Sequence, residues 1–368
     1  MSLFCFESEI LFEYNLCRQT LRSKRTMGPP YVLLFLFLIL LRGRGAGECN
    51  VPTRNKTPLR TPPEPTTNTP NTEPAHTTKD DFLDFFIYGY YGLGLPLIFD
   101  EVDPFHENEL WDLIKANKTQ IVLHKINNSS AIMPEPKDRS RYLKVVAISD
   151  THNQMAGVTI PDGDVLIHAG DLTNDGEYER LVEFNNQMGL LPHPHKLVIG
   201  GNHELGFDVF ENKAKRRPRD QPLGTEEGWK LLTNVTYLLD QSVKIDGVKF
   251  YGSPYHALPG YPFYKNRKNG LKEVWERIPS DVDVLITHSP PLGYLDLFRN
   301  DRWGCRYLLE KVEKYQPKFH IYGHVHQSYG AMSNGKTTFL NAAQCDPKNK
   351  IQDRPFVFWI EKKTDTNL

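Results

Sequence analysis

The sequence contains two pairs of residues whose side chains can bind metal ions. In each pair the two residues are two positions apart, and each pair follows a short apolar run. The stretch "IYGHVHQSYG" contains His324 and His326, and the stretch "LKVVAISDTH" ends in Asp150 and His152. Side chains at positions i and i+2 of an extended segment point the same way and lie roughly 6–7 Å apart. Carboxylates and imidazoles are common ligands of divalent metal ions. Each pair could therefore supply two ligands to one pocket.

Three further apolar runs end in residues of the same types. Asp171 ends "DVLIHAGD", Asn202 and His203 follow "KLVIGG", and His288 ends "DVLITH". A single Asp after a strand is usually a turn or helix-capping residue, and a single His is usually a surface or core residue. One of these types at the end of five separate runs is not expected by chance. The pattern favours one shared site with two carboxylates, one amide and five imidazoles.

Three other histidines lack such partners. His168, His256 and His320 lie inside strand-like runs or loops, with no other ligand type at a matching spacing. A histidine in that setting is more often part of the core than part of a site. We interpret these three as structural residues.

The elements that must position the site begin at Tyr142, where the pattern becomes a series of short β-branched runs. Runs with polar ends lie at 143–150, 164–171, 196–203, 248–255, 283–290 and 319–326, and further strand candidates lie at 235–240, 337–342 and 355–361. Helix-like stretches occur between several of them, including 177–189 and 305–315. Near-continuous apolar strands that alternate with helices are typical of a layered α/β fold. We expect a two-sheet sandwich flanked by helices, with ligands bound at the carboxyl ends of the strands.

Five blocks carry a family resemblance. They read "SDTHN", "HAGDLTNDG", "GGNHELGFD", "ITHSPP" and "YGHVHQ", and in this order they resemble the calcineurin-like metallophosphoesterase superfamily. The stretches "LLTNVTYLLD" and "YGSPY" are similar to its brain-type subgroup of metallophosphoesterase-domain-containing proteins. The resemblance covers residues 141 to 361. It implies an α/β fold, the four-layer α/β/β/α sandwich of the metallophosphoesterases, with a dinuclear metal site at the strand carboxyl ends.

A dinuclear site needs a carboxylate that can bridge two ions. Asp171 is the natural candidate, and the resemblance implies the same role. By the same resemblance, the ligands of the first ion would be completed by Asp150, His152 and His326, and those of the second by Asn202, His288 and His324. His203 follows the ligand Asn202 and is placed to protonate the leaving oxygen, so we expect His203 and Asp171 to be the catalytic residues.

The ligand types restrict the metal but do not identify it. Nitrogen and oxygen ligands without a thiolate disfavour soft ions and leave manganese, iron, zinc, cobalt and nickel open. The resemblance favours manganese. Two divalent ions against two carboxylates would leave a positive pocket that attracts phosphate and generates hydroxide near neutral pH.

This chemistry predicts a metal-dependent phosphoesterase with a two-metal-activated hydroxide as nucleophile. The resemblance implies phosphodiester substrates, in particular small or cyclic nucleotides. Two alternatives share the site, because a nuclease or a phosphomonoesterase would use the same two ions. A third alternative is a low-activity scaffold protein that has kept the fold. The complete set of seven metal-binding groups argues against the scaffold.

The charge of the chain restricts the classes of binding partner. The chain has 368 residues and a formal net charge of −1, which argues against a general polyanion-binding protein. The basic run "NKAKRRPRDQP", residues 212–222, is a local exception. It is either a solvated loop or an arm that steers a polyanionic substrate, nucleic acid included. The oligomeric state stays open.

The chain outside the domain divides by composition. We expect a signal or anchor segment at 1–49, a disordered Pro/Thr-rich linker at 50–80, an extension that packs on or near the domain at 81–140, the metallophosphoesterase domain at 141–362 and a tail at 363–368. The extension has helix-like spacing at 105–120.

Localisation depends on one apolar run, "YVLLFLFLILL", at residues 31–41. Its length suits the core of a signal peptide and is short for a membrane span. If it acts as a signal or anchor, the protein enters the secretory pathway or associates with a membrane. Met27 could also begin the protein, so the amino-terminal segment could instead be an artefact of the chosen start codon. If the run does not act as a signal, we expect a cytoplasmic protein. Cys305 and Cys345 could pair after secretion, although two free thiols are the simpler interpretation.

Overall fold

A computed structural model of the chain describes residues 104–124 and 130–363. The predictions for residues 1–49 and 50–80 lie outside the described residues, as does nearly all of the predicted tail. Among the described residues, no helix combines the length and apolar character that a membrane span requires. Cys305 and Cys345 are both buried free thiols.

The described residues form four α-helices and fourteen β-strands. The helices are α1 (Pro104–Ile114), α2 (Tyr178–Leu190), α3 (Gly270–Trp275) and α4 (Arg306–Tyr315). The strands are β1 (Ile121–Leu123), β2 (Tyr142–Ile148), β3 (Val165–Ala169), β4 (His195–Ile199), β5 (Thr236–Tyr237), β6 (Gln241–Ile245), β7 (Val248–Ser253), β8 (Val284–Thr287), β9 (Leu297–Phe298), β10 (Asp301–Arg302), β11 (Phe319–Tyr322), β12 (Gly330–Ser333), β13 (Thr338–Asn341) and β14 (Phe356–Glu361).

Two large sheets carry the fold. The five-stranded sheet has the order β14-β2-β3-β4-β5, in which β2 to β5 are parallel and β14 is antiparallel to β2. The seven-stranded sheet has the order β1-β12-β13-β11-β8-β7-β6, in which β13, β11, β8 and β7 are parallel and the outer pairs are antiparallel. The carboxyl ends of the parallel strands in each sheet therefore meet at one edge.

The sheets pack face to face because their strands are apolar on both sides. Val145 and Ile167 of the first sheet share an apolar cluster with Phe250, Ile286 and Ile321 of the second sheet. A parallel crossover has to place its helix on a face of its own sheet, and the inner faces are already occupied. Accordingly, α2 connects β3 to β4, α3 connects β7 to β8, and α4 connects β8 to β11, each on an outer face. The predicted four-layer α/β/β/α sandwich is confirmed.

The described part of the amino-terminal extension packs on this domain. Trp111 of α1 is buried, and its ring lies over Gly293 and meets the ring of Tyr294 edge-on at 6.1 Å between centroids. A Cβ on Gly293 would collide with the indole, so only glycine allows this approach. Farther along, β1 pairs with β12 and extends the second sheet by one strand.

Candidate metal centre

The residues predicted to form the site come from the carboxyl ends of five strands in both sheets. From the first sheet, Asp150 and His152 follow β2, Asp171 follows β3, and Asn202 and His203 follow β4. From the second sheet, His288 follows β8, and His324 and His326 follow β11. The structure brings all eight together at the edge where the two sheets meet.

The first cluster contains Asp150, His152, Asp171 and His326. One ligand atom from each lies within 4.8 Å of all the others. His326 Nε2 is 3.1 Å from Asp150 Oδ1 and 3.2 Å from His152 Nε2. His152 Nε2 is 3.8 Å from Asp171 Oδ2. These four side chains could coordinate one metal ion.

The second cluster contains Asp171, His288 and His324, with Asn202 beside them. One ligand atom of each of the first three lies within 4.8 Å of the others. Asn202 Oδ1 is 2.9 Å from His288 Nε2 and 2.8 Å from His324 Nδ1. Asp171 Oδ1 is 3.4 Å from His288 Nε2. Asp171 therefore turns Oδ2 toward the first cluster and Oδ1 toward the second, which is the arrangement of a bridging carboxylate.

The two clusters contain two buried carboxylates, Asp150 and Asp171, whose negative charge favours a cation beside them. Burial opposes ionisation of Asp150, yet its hydrogen bond to His326 and the nearby histidine charges lower its pKa to about 2. Burial also opposes ionisation of Asp171, but His288 and His203 hold its pKa well below the usual range. Against the effect of its own burial, the charge of Asp171 raises the pKa of His288 to about 9. Without a metal ion, His288 is therefore protonated and partly balances the negative charge of the two carboxylates. A divalent cation would balance that charge more fully.

The histidines are also oriented as metal ligands usually are. A ligating histidine typically donates its second ring N–H to a carbonyl or carboxylate, which fixes the ring. His288 Nδ1 lies 2.9 Å from the Ala169 carbonyl oxygen, and His326 Nδ1 lies 3.0 Å from that of Asp346. Since a carbonyl only accepts, each Nδ1 is the donor and each Nε2 is directed into its cluster. The residues present fit a pair of divalent ions.

The strand ends turn sharply to deliver these side chains. Asp150, His152, Asp171 and His324 all have positive φ, between 43° and 66°. Asp and His tolerate this left-handed conformation better than most residues with a side chain, but it still costs energy. Backbone strain of this kind concentrates at functional sites, because a tight turn is what brings the side chain to the strand end.

Gly201, the second of the two glycines that begin the third block, lies where three segments of the site pack closely. A Cβ at this position would lie 2.6 Å from His288 Cε1 and 2.7 Å from the Asp171 backbone nitrogen. Real Cβ atoms do not approach other atoms that closely, so any side chain would displace Asp171 or His288. The glycine is required for close packing of three ligand-bearing segments.

Glu204 is a functional residue that the sequence interpretation missed. Its side chain is fully buried, and its carboxylate accepts hydrogen bonds from four backbone N–H groups, those of Asp171, Leu172, Thr173 and Gly201, at 2.6–3.0 Å. Oε2 accepts the N–H groups of Asp171 and Gly201, and Oε1 accepts those of Leu172 and Thr173. Glu204 thus joins the turn that carries Asp171 to the turn that carries Asn202. Its position directly after His203 was the only signal in the sequence.

Replacing Glu204 with Gln is expected to lower the free energy of unfolding by about 2–4 kcal/mol, because its amide nitrogen would face N–H donors in either orientation. Chemical denaturation monitored by circular dichroism measures this loss. Glu183→Gln, on the exposed face of α2, is the matched control and should change stability by less than about 0.5 kcal/mol. Equal stability of the two variants would show that Glu204 does not hold these turns.

The three histidines interpreted as structural lie outside both clusters, and each is hydrogen bonded. His168 Nε2 is 2.9 Å from the Thr151 hydroxyl, and His320 Nε2 is 2.8 Å from the Thr287 hydroxyl. His256 Nε2 donates to the Pro262 carbonyl at 2.6 Å. Burial lowers the pKa of all three histidines to about 3. They therefore stay neutral, and two of them fix threonines that adjoin the proposed metal ligands.

His203 lies beside the first cluster. Its backbone N–H donates to Asp171 Oδ1 at 2.9 Å, and its Nδ1 donates to the Asn174 carbonyl. Its ring is 4.8 Å from that of His152 and 5.8 Å from that of Tyr261. With Nδ1 held by a carbonyl, Nε2 is the ring nitrogen left for proton transfer at the site.

The basic run 212–222 divides into buried and surface charges. Arg216 is buried and forms a bidentate pair with Glu211 at 2.6 Å for both bonds. Arg217 pairs with Asp220 and lies over the Tyr261 ring at 5.2 Å. Since Arg216 is not accessible, only the surface cations of the run could steer a polyanionic substrate. Contact with nucleic acid through this loop stays a prediction.

Addition of Mn²⁺ to metal-free protein is expected to raise the unfolding temperature, because the ions would bind only the folded clusters. One site at 100 times its dissociation constant adds about 2.7 kcal/mol of stability. Calorimetry with and without a chelator measures the shift. Mg²⁺ at the same concentration is the control and should stabilise less, since imidazole suits it poorly. No shift with Mn²⁺ at millimolar concentration would show that the clusters do not bind it.

Comparison with known proteins agrees with these observations. The family model for calcineurin-like phosphoesterases matches residues 143–328. The UPF0046 protein K07C11.7 of Caenorhabditis elegans is 59% identical over 263 residues, which is 72% of this chain and 90% of that protein. Metallophosphoesterase domain-containing protein 1 of Homo sapiens is 39% identical over 244 residues, which is 61% of this chain and 74% of that protein.

The predicted family is thereby confirmed, over the same part of the chain that carries the five blocks and both clusters. The chain belongs to the calcineurin-like phosphoesterase family, whose chemistry is the metal-dependent hydrolysis of phosphate esters.

Proposed function

We propose that this protein is a phosphodiesterase that uses two divalent metal ions, with manganese as the effective ion in assays, and that it hydrolyses small or cyclic nucleotides. The observation that carries the proposal is Asp171, which turns one carboxylate oxygen toward each of two histidine-rich clusters. A single-ion site would need only one of these clusters. The separation of His324 and His326 into different clusters supports the same conclusion.

Each group of residues has a distinct role. Asp150, His152 and His326 would hold one ion, Asn202, His288 and His324 would hold the other, and Asp171 would join them. When bound, the two ions would neutralise the phosphoryl oxygens and activate a water molecule. Glu204 keeps the bridging carboxylate in place through the backbone N–H groups that it accepts. His203 would donate a proton from Nε2 to the leaving oxygen, with Nδ1 anchored on the Asn174 carbonyl.

A substrate panel tests the proposal. The full chain, loaded with Mn²⁺, is assayed against bis(p-nitrophenyl) phosphate, p-nitrophenyl phosphate, cyclic AMP and single-stranded DNA. We expect the two diesters of low molecular weight to react, with higher kcat/KM than the monoester. Faster turnover of the monoester would indicate a phosphomonoesterase, and preference for DNA would indicate a nuclease. Protein that binds metal but hydrolyses none of the four would overturn the enzyme proposal.

A further inference from the structure

A small hairpin lies next to the second cluster. Strands β9 and β10 pair with each other apart from the two large sheets. We call residues 296–304, which contain both strands, the aromatic hairpin. Its Trp303 ring lies 5.5 Å from the ring of the proposed ligand His324 and 4.5 Å from the ring of Phe298. An aromatic pair thus borders the second cluster.

The aromatic hairpin is firmly held. At its base, Arg302 pairs with the buried Asp296 at 2.5 Å, and Asp296 also accepts the Gly293 N–H at 2.9 Å. The Asn108 side chain of α1 accepts the Arg302 N–H at 3.0 Å and donates to Asp301 at 3.1 Å. The amino-terminal helix therefore helps to fix the position of Trp303. A fixed aromatic surface loses little entropy when a ligand stacks on it.

The other side of the hairpin is joined to the turn that follows His326. The Gln327 side-chain oxygen accepts the Arg299 N–H at 2.7 Å, and the Ser328 hydroxyl donates to the Leu297 carbonyl at 2.7 Å. The hairpin and the segment that carries two proposed ligands therefore form one unit. Any group bound between them would lie close to the second cluster.

Packing alone does not account for the aromatic residues of the hairpin. Phe298 and Trp303 are only half-buried, and Leu297 is 41% exposed. Neither aromatic residue belongs to the two apolar clusters that form the core. Half-buried aromatic rings beside convergent polar groups are typical of a ligand-binding cleft.

We propose that the aromatic hairpin is the nucleobase subsite, in which Trp303 stacks on the base of a nucleotide whose phosphate lies at the metal centre. The inference rests on the proposed function and specifies the part of the substrate that this function leaves open. Stacking on an aromatic side chain favours any planar base, because every base has a π-face. The subsite would therefore select nucleotides over diesters of simple alcohols, with little preference among the bases.

Two substrates with one leaving group test the subsite. Thymidine 5′-(p-nitrophenyl phosphate) and methyl p-nitrophenyl phosphate both release p-nitrophenolate, but only the first carries a base. For Trp303→Leu we expect KM for the thymidine compound to rise about tenfold, while the methyl compound changes less than about twofold. Trp303→Phe should restore most of the difference. Equal changes for both substrates would overturn the subsite, whereas turnover of neither by the unmodified protein would refute the proposed function instead.

Binding provides a readout that does not depend on turnover. Isothermal calorimetry compares adenosine 5′-monophosphate with ribose 5-phosphate, which has the same phosphate and sugar but no base. We expect adenosine 5′-monophosphate to bind about tenfold more tightly than ribose 5-phosphate. Trp303→Leu should abolish this difference in affinity. Trp229→Leu is the control, because Trp229 is also half-buried but stacks on Tyr237. This variant should still bind adenosine 5′-monophosphate more tightly than ribose 5-phosphate. Retention of the difference in Trp303→Leu would disprove stacking at this residue.

Discussion

Replacing Asp171 with asparagine is expected to lower kcat/KM roughly a thousandfold, since charge stabilisation by a metal pair contributes several kcal/mol. The bound metal should fall from two ions per chain to one or none. An amide carries no charge, and its nitrogen cannot coordinate a cation in place of an oxygen. Because Asp171 faces both clusters, its loss weakens both ions rather than one. Elemental analysis of the purified variant counts the ions, and assays with a diester measure the rate.

Asp175→Asn is the matched control for this prediction. Asp175 lies four residues farther along the same segment and belongs to neither cluster. The control should bind two ions and keep kcat/KM within about threefold of the unmodified protein. If Asp171→Asn also bound two ions and turned over at the normal rate, the assignment of Asp171 as the bridge would be wrong.

Replacing His203 with glutamine should slow hydrolysis in a way that depends on the leaving group. A general acid contributes about 10²- to 10⁴-fold when the leaving oxygen needs a proton. We expect a loss of that order for a cyclic nucleotide, whose leaving group is an alkoxide. For bis(p-nitrophenyl) phosphate the loss should stay below about tenfold, because p-nitrophenolate leaves without protonation. Paired measurement of kcat for the two substrates gives the ratio.

The His203 variant needs a test that separates proton transfer from damage to the site. His195→Gln changes an exposed histidine at the start of β4, away from the strand's carboxyl end, and should leave both rates unchanged. Metal content should stay at two ions in both variants. Equal losses for the two substrates in His203→Gln would argue that the His203 side chain only supports the turn at Asn174, to whose carbonyl its Nδ1 donates, and does not act as the acid.

The interior of the fold was predictable because central strands have a strong local pattern. The runs at 164–171 and 283–290 contain β3 and β8, which are buried on both faces, and the run at 143–150 contains all of β2 but Tyr142. The edge strands of the first sheet, β5 and β14, fall within the predicted runs 235–240 and 355–361. The edge strands of the second sheet, β1 and β6, were not predicted. β6 (Gln241–Ile245) is mostly exposed, so it lacks the continuous apolar run on which the prediction relied. The helix-like spacing at 105–120 corresponds to α1, which ends earlier, at Ile114.

The sequence by itself determined the types and order of the proposed metal ligands. Few residue types bind divalent ions, and the parallel strands carry their carboxyl ends to one edge, so local spacing was enough to collect Asp150, His152, Asp171, Asn202, His203, His288, His324 and His326. The family resemblance then separated the seven proposed ligands from His203. Other features depended on contacts between distant segments. These include the two directions of the Asp171 carboxylate, the hydrogen bonds of Glu204 to a turn about thirty residues away and the contact of Trp303 with His324.

Arg216 illustrates the physical reason for this division. In the sequence it is one of several cations in a basic run, but in the structure it is buried against Glu211 while its neighbours remain nearer the surface. Burial and hydrogen-bond partners depend on where the rest of the chain passes, which short-range patterns do not encode. Residue chemistry therefore indicated what the site could bind, and tertiary packing decided which residues hold it in shape and which could meet the substrate.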